Sequence, residues 1–253
     1  MAFDEPAAIE SFWQARARGE YFPTAWFDRL ALDEAYRIQL GMIARRCAAG
    51  ERQIGWKVGL TAKAIQEQFK FNEPVFGCIL ESQPSGTVLP TASLISPGFE
   101  NELCMRMGRD LSGEVDLAAA RAAVDVIYPS LEIIETRGDF VRQIAVALAD
   151  NAQQRTVILG APIKMTPDLT LESIEARVLI NGEEVAKGLG SAVLGNPLNS
   201  IIWLARKLGE YGRGLRAGEL IMTGSFTRQF PLHGGDKVRT EFAGIGAVDV
   251  RLS

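Results

Sequence analysis

Three glutamates inside apolar segments constrain the fold of this chain more than any other feature. Glu100 and Glu102 are two residues apart in a stretch that alternates like a β-strand, so both carboxylates should project from one face of a sheet. Glu132 lies inside the apolar run Ile127–Ile134. Buried acids that lie together repel each other unless a cation neutralises them or one of them stays protonated. The three acids therefore favour a Mg²⁺ or Mn²⁺ site built on apolar strands.

The Glu-x-Glu pair also has a simpler interpretation. On most strands such a pair is only the solvated face of an antiparallel sheet. Oxygen-ligand sites also lack the tight spacing rule that zinc sites have, so the pair alone does not identify a metal site. The metal interpretation depends on the other motifs of the chain.

Composition excludes several classes of partner. The chain has 253 residues, of which 47% are hydrophobic, and this suits one large domain or two small ones. The net charge of −4 argues against a nucleic-acid or anionic-membrane partner, because both need a clustered basic surface. Three cysteines without C-x-x-C spacing indicate neither a disulfide framework nor a thiolate metal site. The first residues lack a signal-peptide pattern and no apolar run reaches about eighteen residues, so we expect a cytoplasmic protein.

Hydrophobic periodicity divides the chain into two parts. Apolar residues recur at helical spacing between Pro6 and Gly50, and Gly50 is a helix stop signal. Most later segments alternate like strands. We therefore expect one compact unit with a helical N-terminal layer over residues 1–52 and a mixed β catalytic domain over residues 53–253.

Local signals add detail to the second part. Asn181-Gly182 between two alternating runs predicts a β-hairpin. A short helix is expected from Thr61 through Phe69, and Asn199 is expected to cap a later helix.

Several common catalytic motifs are missing from the sequence. The chain has no G-x-x-x-x-G-K-[ST] phosphate loop and no G-x-S-x-G nucleophile elbow. In the glycine-rich segment Gly188–Gly195, the third glycine is displaced relative to a dinucleotide fingerprint. His233 is the single histidine and lies in a predicted loop, so neither a zinc site nor a Ser-His-Asp triad is supported.

A lysine lies between two glycines in the predicted strand Ile54–Leu60. Strand lysines usually extend their ammonium group to solvent. Here Gly55 and Gly59 flank Lys57 on its face of the strand and clear space beside it, which favours a functional lysine. Beside a bound cation its pKa should fall, which would suit acid–base use near neutral pH.

The glycine-flanked lysine belongs to an ordered set of motifs that covers most of the chain. The set comprises Gly55-Trp56-Lys57-Val58-Gly59, Glu100-x-Glu102, Leu131-Glu132-Ile133, Asp150-Asn151-Ala152, Gly195-Asn196-Pro197-Leu198 and Thr223-Gly224-Ser225. In this order the motifs resemble the 2-keto-4-pentenoate hydratase and 4-oxalocrotonate decarboxylase family, which is related to the fumarylacetoacetate hydrolases. Each motif is weak, but the ordered set is specific.

The resemblance implies a fold and a metal site. The fold would be α+β, with a mixed β-roll or barrel-like domain of the fumarylacetoacetate hydrolase C-terminal type and flanking helices. Glu100, Glu102 and Glu132 would hold a divalent metal, Mg²⁺ or Mn²⁺, and Lys57 would be the active-site lysine.

The resemblance also implies which residues meet the substrate. Phe76 and Gly77 would bind it, and Glu73 is the candidate for positioning or activating a water molecule. Thr223 and Ser225 follow a predicted strand and could bind a substrate carboxylate through hydroxyl and backbone N–H groups. The simpler interpretations are an ordinary loop acid for Glu73 and turn chemistry for the two hydroxyl residues.

The sequence departs from the family pattern at two places. Family members often have Asp-Glu-Pro-Asp where this chain has Asn72-Glu73-Pro74-Val75, and many have serine where Gln153 stands. Both differences lie where substrate contacts are expected, so they bear on the substrate and on proton transfer.

These observations predict a metal-dependent hydratase. It would add water to a 2-hydroxy-2,4-dienoate, such as 2-hydroxypenta-2,4-dienoate, to give a 4-hydroxy-2-oxo acid in the breakdown of aromatic compounds. The alternatives are 4-oxalocrotonate decarboxylase, C–C hydrolysis of an acylpyruvate, and a non-catalytic subunit of a pathway complex. We expect a homo-oligomer, with a complex with a pathway partner enzyme as a further expectation.

Overall fold

Helices form the N-terminal part of the protein and recur between its strands. The computed structural model describes residues 3–68 and 71–253. The α-helices are α1 (Glu5–Ala17), α2 (Leu32–Ala48), α3 (Lys63–Gln68), α4 (Leu117–Ala123), α5 (Ile144–Ala149) and α6 (Leu198–Gly209). The predicted end of the third helix at Phe69 lies outside the described residues.

Two sheets contain the strands. The strands are β1 (Gly55–Gly59), β2 (Val75–Ile79), β3 (Ser82–Pro84), β4 (Val88–Leu89), β5 (Pro97–Met107), β6 (Val124–Glu135), β7 (Gln154–Leu159), β8 (Ile163–Lys164), β9 (Glu175–Ile180), β10 (Glu183–Leu189), β11 (Leu220–Ser225), β12 (Phe230–Pro231), β13 (Lys237–Phe242) and β14 (Gly246–Leu252). The larger sheet has the order β2-β1-β11-β5-β6-β7-β3, with β12 paired to β5 and β8 to β6. The smaller sheet has the order β10-β9-β13-β14-β4. The predicted α+β fold is confirmed.

The predicted N-terminal helices are present. Asp4 caps α1 by accepting a hydrogen bond from the Ala7 N–H, and α2 ends two residues before Gly50, which has a φ of +105°. Tyr36 on α2 stacks on Phe76 of β2 with 4.2 Å between ring centroids. The helical layer thus shares one apolar core with the sheet, and the division at residues 52 and 53 stays a prediction.

A buried amide connects this layer to the rest of the molecule. The Gln39 side chain on α2 donates hydrogen bonds to the carbonyls of Phe76 and Leu148. Because Gln39 is fully buried, loss of these bonds would leave polar groups unsatisfied in the core. The contact fixes α2 against both β2 and α5.

Two local predictions have different outcomes. The hairpin at Asn181-Gly182 is confirmed, since β9 and β10 pair antiparallel and both turn residues have positive φ, as a type I′ turn requires. The prediction that Asn199 caps α6 is wrong, because the helix begins at Leu198. The Asn196 carboxamide oxygen instead accepts a hydrogen bond from the Leu198 N–H.

Three short strands have no signal in the sequence. The strands β3, β8 and β12 have two or three residues each, which is too few for an alternating pattern.

Cys78 and Cys104 are fully buried, and burial raises the pKa of both thiols. Within residues 3–68 and 71–253, no helix is long and apolar enough to cross a membrane.

Candidate metal centre and active site

Three carboxylates meet on the inner face of the larger sheet. Glu100 and Glu102 project from the same side of β5, and Glu132 on β6 lies directly opposite Glu100 in the antiparallel register. One oxygen of each side chain lies within 4.8 Å of one oxygen of the other two. Alternation along β5 explains why Glu100 and Glu102 share a face. The β5–β6 register then adds Glu132 to them.

The oxygens of this cluster suit a metal ion. Glu102 and Glu132 are fully buried, and only one of their four carboxylate oxygens, Glu102 Oε2, has a hydrogen-bond donor within the described residues. That donor is the Gly224 N–H, at 2.7 Å. Buried carboxylate oxygens without donors are costly unless a cation binds them. Together with the half-buried Glu100 they form a donor set of the kind that Mg²⁺ and Mn²⁺ prefer, so the residues fit a divalent metal.

Burial and mutual repulsion perturb the protonation of these acids. Burial raises the pKa of Glu132 to about 7 although the Lys57 ammonium opposes the shift. Burial, followed by the charges of Glu132 and Glu100, raises the pKa of Glu102 well above its usual range. Burial also raises the pKa of Glu100. Without a cation the cluster therefore retains protons near neutral pH.

Lys57 lies against the carboxylates and is only 5% exposed. Its Nζ is 3.5 Å from Glu132 Oε1, which is an ion-pair distance. Burial lowers the pKa of Lys57, but the charges of Glu132, Glu100 and Glu102 outweigh burial and raise it. A metal ion among the carboxylates would weaken the attraction between Lys57 and the acids and so lower the Lys57 pKa. The fall in pKa expected from the sequence therefore applies to the metal-bound protein.

The contact between Lys57 and Glu132 shows how strongly the sheet is curled. Their strands β1 and β6 are separated by β11 and β5. In a flat sheet three strand spacings would amount to about 14 Å, and side chains that project from the face of the sheet would not meet across that distance. The sheet must therefore curve around the carboxylates, as expected for a β-roll.

Glycines around Lys57 have different roles. A Cβ on Gly59 would lie 3.3 Å from Lys57 Nζ, and a Cβ on Gly77 would lie 3.3 Å from Lys57 Cγ. These two glycines make room for the lysine. Gly55, which the sequence suggested for this role, instead permits the close approach of β11, because its Cβ would overlap the Leu220 carbonyl at 1.9 Å.

A cavity of about 440 Å³ opens beside the cluster. Lys57 and Glu100 line it together with apolar side chains that include Leu60, Val75 and Ile134. Its volume is in the range of small-molecule sites. The cavity therefore has an apolar part next to a charged inner end, which is the end where Lys57 and Glu100 lie.

A strained turn forms part of the cavity wall. Asn151, Ala152 and Gln153 follow each other with φ values of +59°, +47° and +62°, and Ala152 and Gln153 line the cavity. The Asn151 side chain accepts a hydrogen bond from the Cys78 N–H and donates one to the Cys78 carbonyl. Non-glycine residues in the left-handed region cost energy and persist only when surrounding contacts hold them. The paired bonds to β2 supply such contacts.

The predicted substrate-binding residues fall into different environments. Ser225 lines the cavity, and its hydroxyl lies 3.4 Å from the Asn101 carbonyl. Thr223 is fully buried, outside the cavity lining, and donates a hydrogen bond to the Leu103 carbonyl. Phe76 is also fully buried, and Gly77 lies beside Lys57 on β2. The geometry therefore brings Ser225 to the cavity surface and gives Thr223 and Phe76 structural contacts.

Glu73 lies apart from the carboxylate cluster. Its Oε1 is 3.6 Å from Lys207 Nζ on α6, its side chain is 34% exposed, and it is not among the residues that line the cavity. His233 is 73% exposed beside Asp236 and is likewise outside the lining. Within the described residues, Glu73 forms an ion pair with Lys207 and not with the carboxylate cluster.

Sequence reasoning missed several lining residues. Thr61 and Phe140 line the cavity, as do Thr227, Arg228 and Gln229 beyond the end of β11. The last three follow Thr223-Gly224-Ser225 directly. Their position after a strand that carries a motif was the available signal, but nothing in their residue types indicated which way they face.

Comparison with known proteins gives a consistent result. The family model described as fumarylacetoacetate (FAA) hydrolase C-terminal matches residues 66–253. The chain is 34% identical to 2-keto-4-pentenoate hydratase of Paraburkholderia xenovorans strain LB400 over 249 residues, covering 95% of this chain and 92% of the relative. It is 33% identical to 4-oxalocrotonate decarboxylase of Pseudomonas sp. strain CF600 over 223 residues, covering 87% and 84%.

A solved structure extends the comparison to the fold. The structure of 4-oxalocrotonate decarboxylase from Pseudomonas putida G7, complexed with magnesium and adipate, superposes with a TM-score of 0.91 at 30% identity. The match covers 98% of this chain and 97% of the other. The family match, the named relatives and the shared fold together establish that this chain belongs to the fumarylacetoacetate hydrolase C-terminal family.

Proposed function

We propose that the protein is a metal-dependent lyase that hydrates a 2-hydroxy-2,4-dienoate to a 4-hydroxy-2-oxo acid. The observation that carries this proposal is the cluster of Glu102, Glu132 and Lys57, which are buried, with the half-buried Glu100, at the inner end of a cavity sized for a small acid. Relatives about one-third identical over most of their length are named hydratases, which supports the reaction class.

The three carboxylates define where a metal would bind. Glu100, Glu102 and Glu132 would hold Mg²⁺ or Mn²⁺ through carboxylate oxygens. When bound, the ion supplies Lewis acidity toward the oxygen on C2 of the substrate. Lys57 adds a positive charge at the same end of the cavity, and it would orient the substrate carboxylate.

The reaction requires proton transfers that Lys57 is placed to make. In 2-hydroxypenta-2,4-dienoate the C2 hydroxyl loses its proton and C5 gains one. Water then adds with its OH at C4 and its remaining proton at C3, which gives 4-hydroxy-2-oxopentanoate. We assign removal of the C2 hydroxyl proton to Lys57, which lines the cavity beside the carboxylates. With its pKa lowered by a bound metal, the neutral Nζ would accept this proton, and the resulting ammonium would orient the substrate carboxylate. Leu60, Val75 and Ile134 would enclose the hydrocarbon chain and exclude bulk water.

A spectrophotometric assay tests the proposal. Purified protein is mixed with 2-hydroxypenta-2,4-dienoate in the presence of Mg²⁺ or Mn²⁺ and then with EDTA. We expect metal-dependent loss of the dienoate absorbance with 4-hydroxy-2-oxopentanoate as the product. Absence of turnover of this substrate and of longer 2-hydroxydienoates in the presence of metal would contradict the proposal.

Decarboxylation of 4-oxalocrotonate is the second candidate function. The fold match to a 4-oxalocrotonate decarboxylase at a TM-score of 0.91 favours it. Both reactions need charge stabilisation at the same C2 oxygen, so the carboxylates and Lys57 would serve either one. Release of CO₂ from 4-oxalocrotonate, measured in a coupled assay, distinguishes decarboxylation from hydration.

Two further alternatives have less support. C–C hydrolysis of an acylpyruvate would be favoured by a histidine and acid pair at the cavity, but His233 and Asp236 lie outside the lining. A non-catalytic subunit would have no need for the complete set of Lys57 and three acids. Product analysis in the same assay addresses both alternatives.

We also propose that the protein acts in the cytoplasm as a homo-oligomer. Its three cysteines are unpaired, as expected in a reducing compartment. Exposed apolar side chains that include Val88, Ile95 and Leu117 could contribute to subunit contacts or to a complex with a pathway partner. Light scattering coupled to size-exclusion chromatography would give the number of subunits, and a monomer mass would contradict the oligomer.

A further inference from the structure

The cavity has a second cation, distant in sequence from the carboxylates. Besides Lys57, the lining includes the exposed guanidinium side chain of Arg228. Lys57 is buried against Glu132 at the inner end, whereas Arg228 belongs to the solvent-exposed part of the lining. The cavity thus offers positive charge both at its inner end and at its rim.

The segment that carries Arg228 is anchored on β5, next to the metal-binding cluster. Thr227 Oγ1 donates a hydrogen bond to Asn101 Oδ1, and the Phe230 ring stacks on Phe99 with 5.5 Å between centroids. Phe230 also pairs with Phe99 in the β12–β5 register. Because Phe99 and Asn101 flank Glu100 in the sequence, this segment is fixed beside the carboxylate cluster.

Contacts on both sides of Arg228 limit its freedom. Its guanidinium carbon lies 4.0 Å from the centroid of the buried Phe230 ring. On β5, a Cβ at Gly98 would lie only 2.8 Å from Gln229 Nε2, so Gln229 packs closely over the glycine. Stacking on an aromatic ring holds a guanidinium in a defined plane while leaving its N–H groups available.

Arg228 has no acidic partner within the described residues. Its side chain donates one hydrogen bond, at 3.3 Å, to the Gln229 carbonyl. Asp139 also lines the cavity, but its carboxylate accepts a hydrogen bond from the Arg142 N–H and lies beyond ion-pair distance of Arg228. An arginine that is oriented, unpaired and part of a cavity lining is suited to bind a carboxylate of a ligand.

We propose that Arg228 binds a second carboxylate of the substrate, so that the preferred substrate is a dicarboxylic 2-hydroxydienoate and not 2-hydroxypenta-2,4-dienoate itself. The 2-oxo acid end would lie at Lys57 and the carboxylate cluster, and the hydrocarbon chain would cross the apolar compartment to the rim. The assignment of the inner end rests on the proposed function. The assignment of the outer carboxylate rests on Arg228 and its anchoring.

Ligand binding without turnover tests the outer subsite directly. Adipate and hexanoate have the same number of carbons and differ by one carboxylate, and their affinities are measured by isothermal titration calorimetry with Mg²⁺ present. We expect wild-type protein to bind adipate about tenfold more tightly than hexanoate, and Arg228→Gln to remove this preference. Arg109→Gln is the matched control, because Arg109 is an exposed arginine outside the cavity. Equal affinity of wild-type protein for both acids would overturn the proposal.

Kinetics separate this proposal from the proposed function. The substrates are 2-hydroxyhexa-2,4-dienoate and 2-hydroxyhepta-2,4-diene-1,7-dioate. We expect Arg228→Gln to raise KM for the dioate about tenfold, to change kcat and the monocarboxylate KM by less than about twofold, and Arg228→Lys to recover part of the loss. If both substrates turn over and the variant affects them equally, the outer subsite is wrong and the hydratase function stands. If wild-type protein turns over neither substrate but still prefers adipate, the hydratase function fails and the subsite stands.

Discussion

Glu100 and Glu132 lie directly opposite each other on β5 and β6, in a sheet that buries Glu132 completely. Like charges at opposite positions of neighbouring strands destabilise a sheet. Lys57 offsets one of the three charges of the cluster. Burial raises the pKa of these acids, and the remaining repulsion adds to the shift for Glu102 and Glu132, so a divalent cation would stabilise the arrangement.

Neutralising one of the acids should separate metal binding from folding. In Glu102→Gln the amide oxygen can still accept the hydrogen bond from the Gly224 N–H. We expect Mn²⁺ affinity to fall about 100-fold, because one charged ligand is lost. The free energy of unfolding without metal should not fall by more than about 1 kcal/mol, because a repulsive buried charge is removed. Calorimetric titration and urea unfolding measure the two quantities, with the exposed Glu114→Gln as control; wild-type Mn²⁺ affinity in Glu102→Gln would refute the ligand assignment.

Metal affinity should depend on pH in a predictable direction. The pKa of Glu132 is raised to about 7 and that of Glu102 is raised well above its usual range. Metal binding requires the ionised carboxylates, so below about pH 7 the ion must displace protons and its apparent affinity should decrease. Titrations with Mn²⁺ at about pH 6, 7 and 8 should therefore show affinity rising with pH. An affinity that is constant over this range would mean that the acids are already ionised.

Removal of Lys57 should affect catalysis and metal binding differently. In Lys57→Met the cluster loses the cation that lies 3.5 Å from Glu132 Oε1, so electrostatic competition with a metal disappears. We expect Mn²⁺ affinity at about pH 8 to be unchanged or higher, and turnover of the hydratase substrate to fall at least about 100-fold. Parallel loss of both properties would indicate that Lys57 only supports the local structure.

The turn at Asn151 should be a point of high structural sensitivity. Asn151→Ala removes two hydrogen bonds to the Cys78 backbone. It also places alanine, which tolerates the left-handed region less well than asparagine, at a φ of +59°. We expect the free energy of unfolding to decrease by about 2–4 kcal/mol. Urea unfolding of the variant measures the change. Asn72→Ala, at an exposed position, should change it by less than about 0.5 kcal/mol, and an equally small effect of Asn151→Ala would show that the turn forms without its side chain.

Sequence patterns predicted the burial of the glutamates and the common face of two of them, but not how all three come together. Alternation along β5 fixes the common face of Glu100 and Glu102, and the apolar run around Glu132 indicates burial. The register that places Glu132 opposite Glu100 is set by pairing between separate strands, and no local pattern encodes it. The resemblance to a known family supplied the link between the three acids.

Other features depended on contacts that the sequence does not display. Glu73 was a candidate because it precedes Pro74 in a segment where the family resemblance implies substrate contacts, but its partner Lys207 comes from a distant helix. Arg228 precedes a two-residue strand whose pairing with Phe99 has no periodic signal. Gly77 was named as a substrate contact, and its space for the Lys57 stem became evident only from the β1–β2 register.

The order of strands in the larger sheet has a consequence for folding. The strands β5 and β6, which carry the three glutamates, follow each other along the chain and pair directly. The strand β1, which carries Lys57, pairs with the much later β11, and β11 in turn pairs with β5. Closing so long a loop costs entropy before the contacts repay it, so β11 should join the sheet late. The three glutamates should therefore come together on β5 and β6 before Lys57 reaches them, so that during folding the acids meet without the cation that offsets their charge in the finished protein.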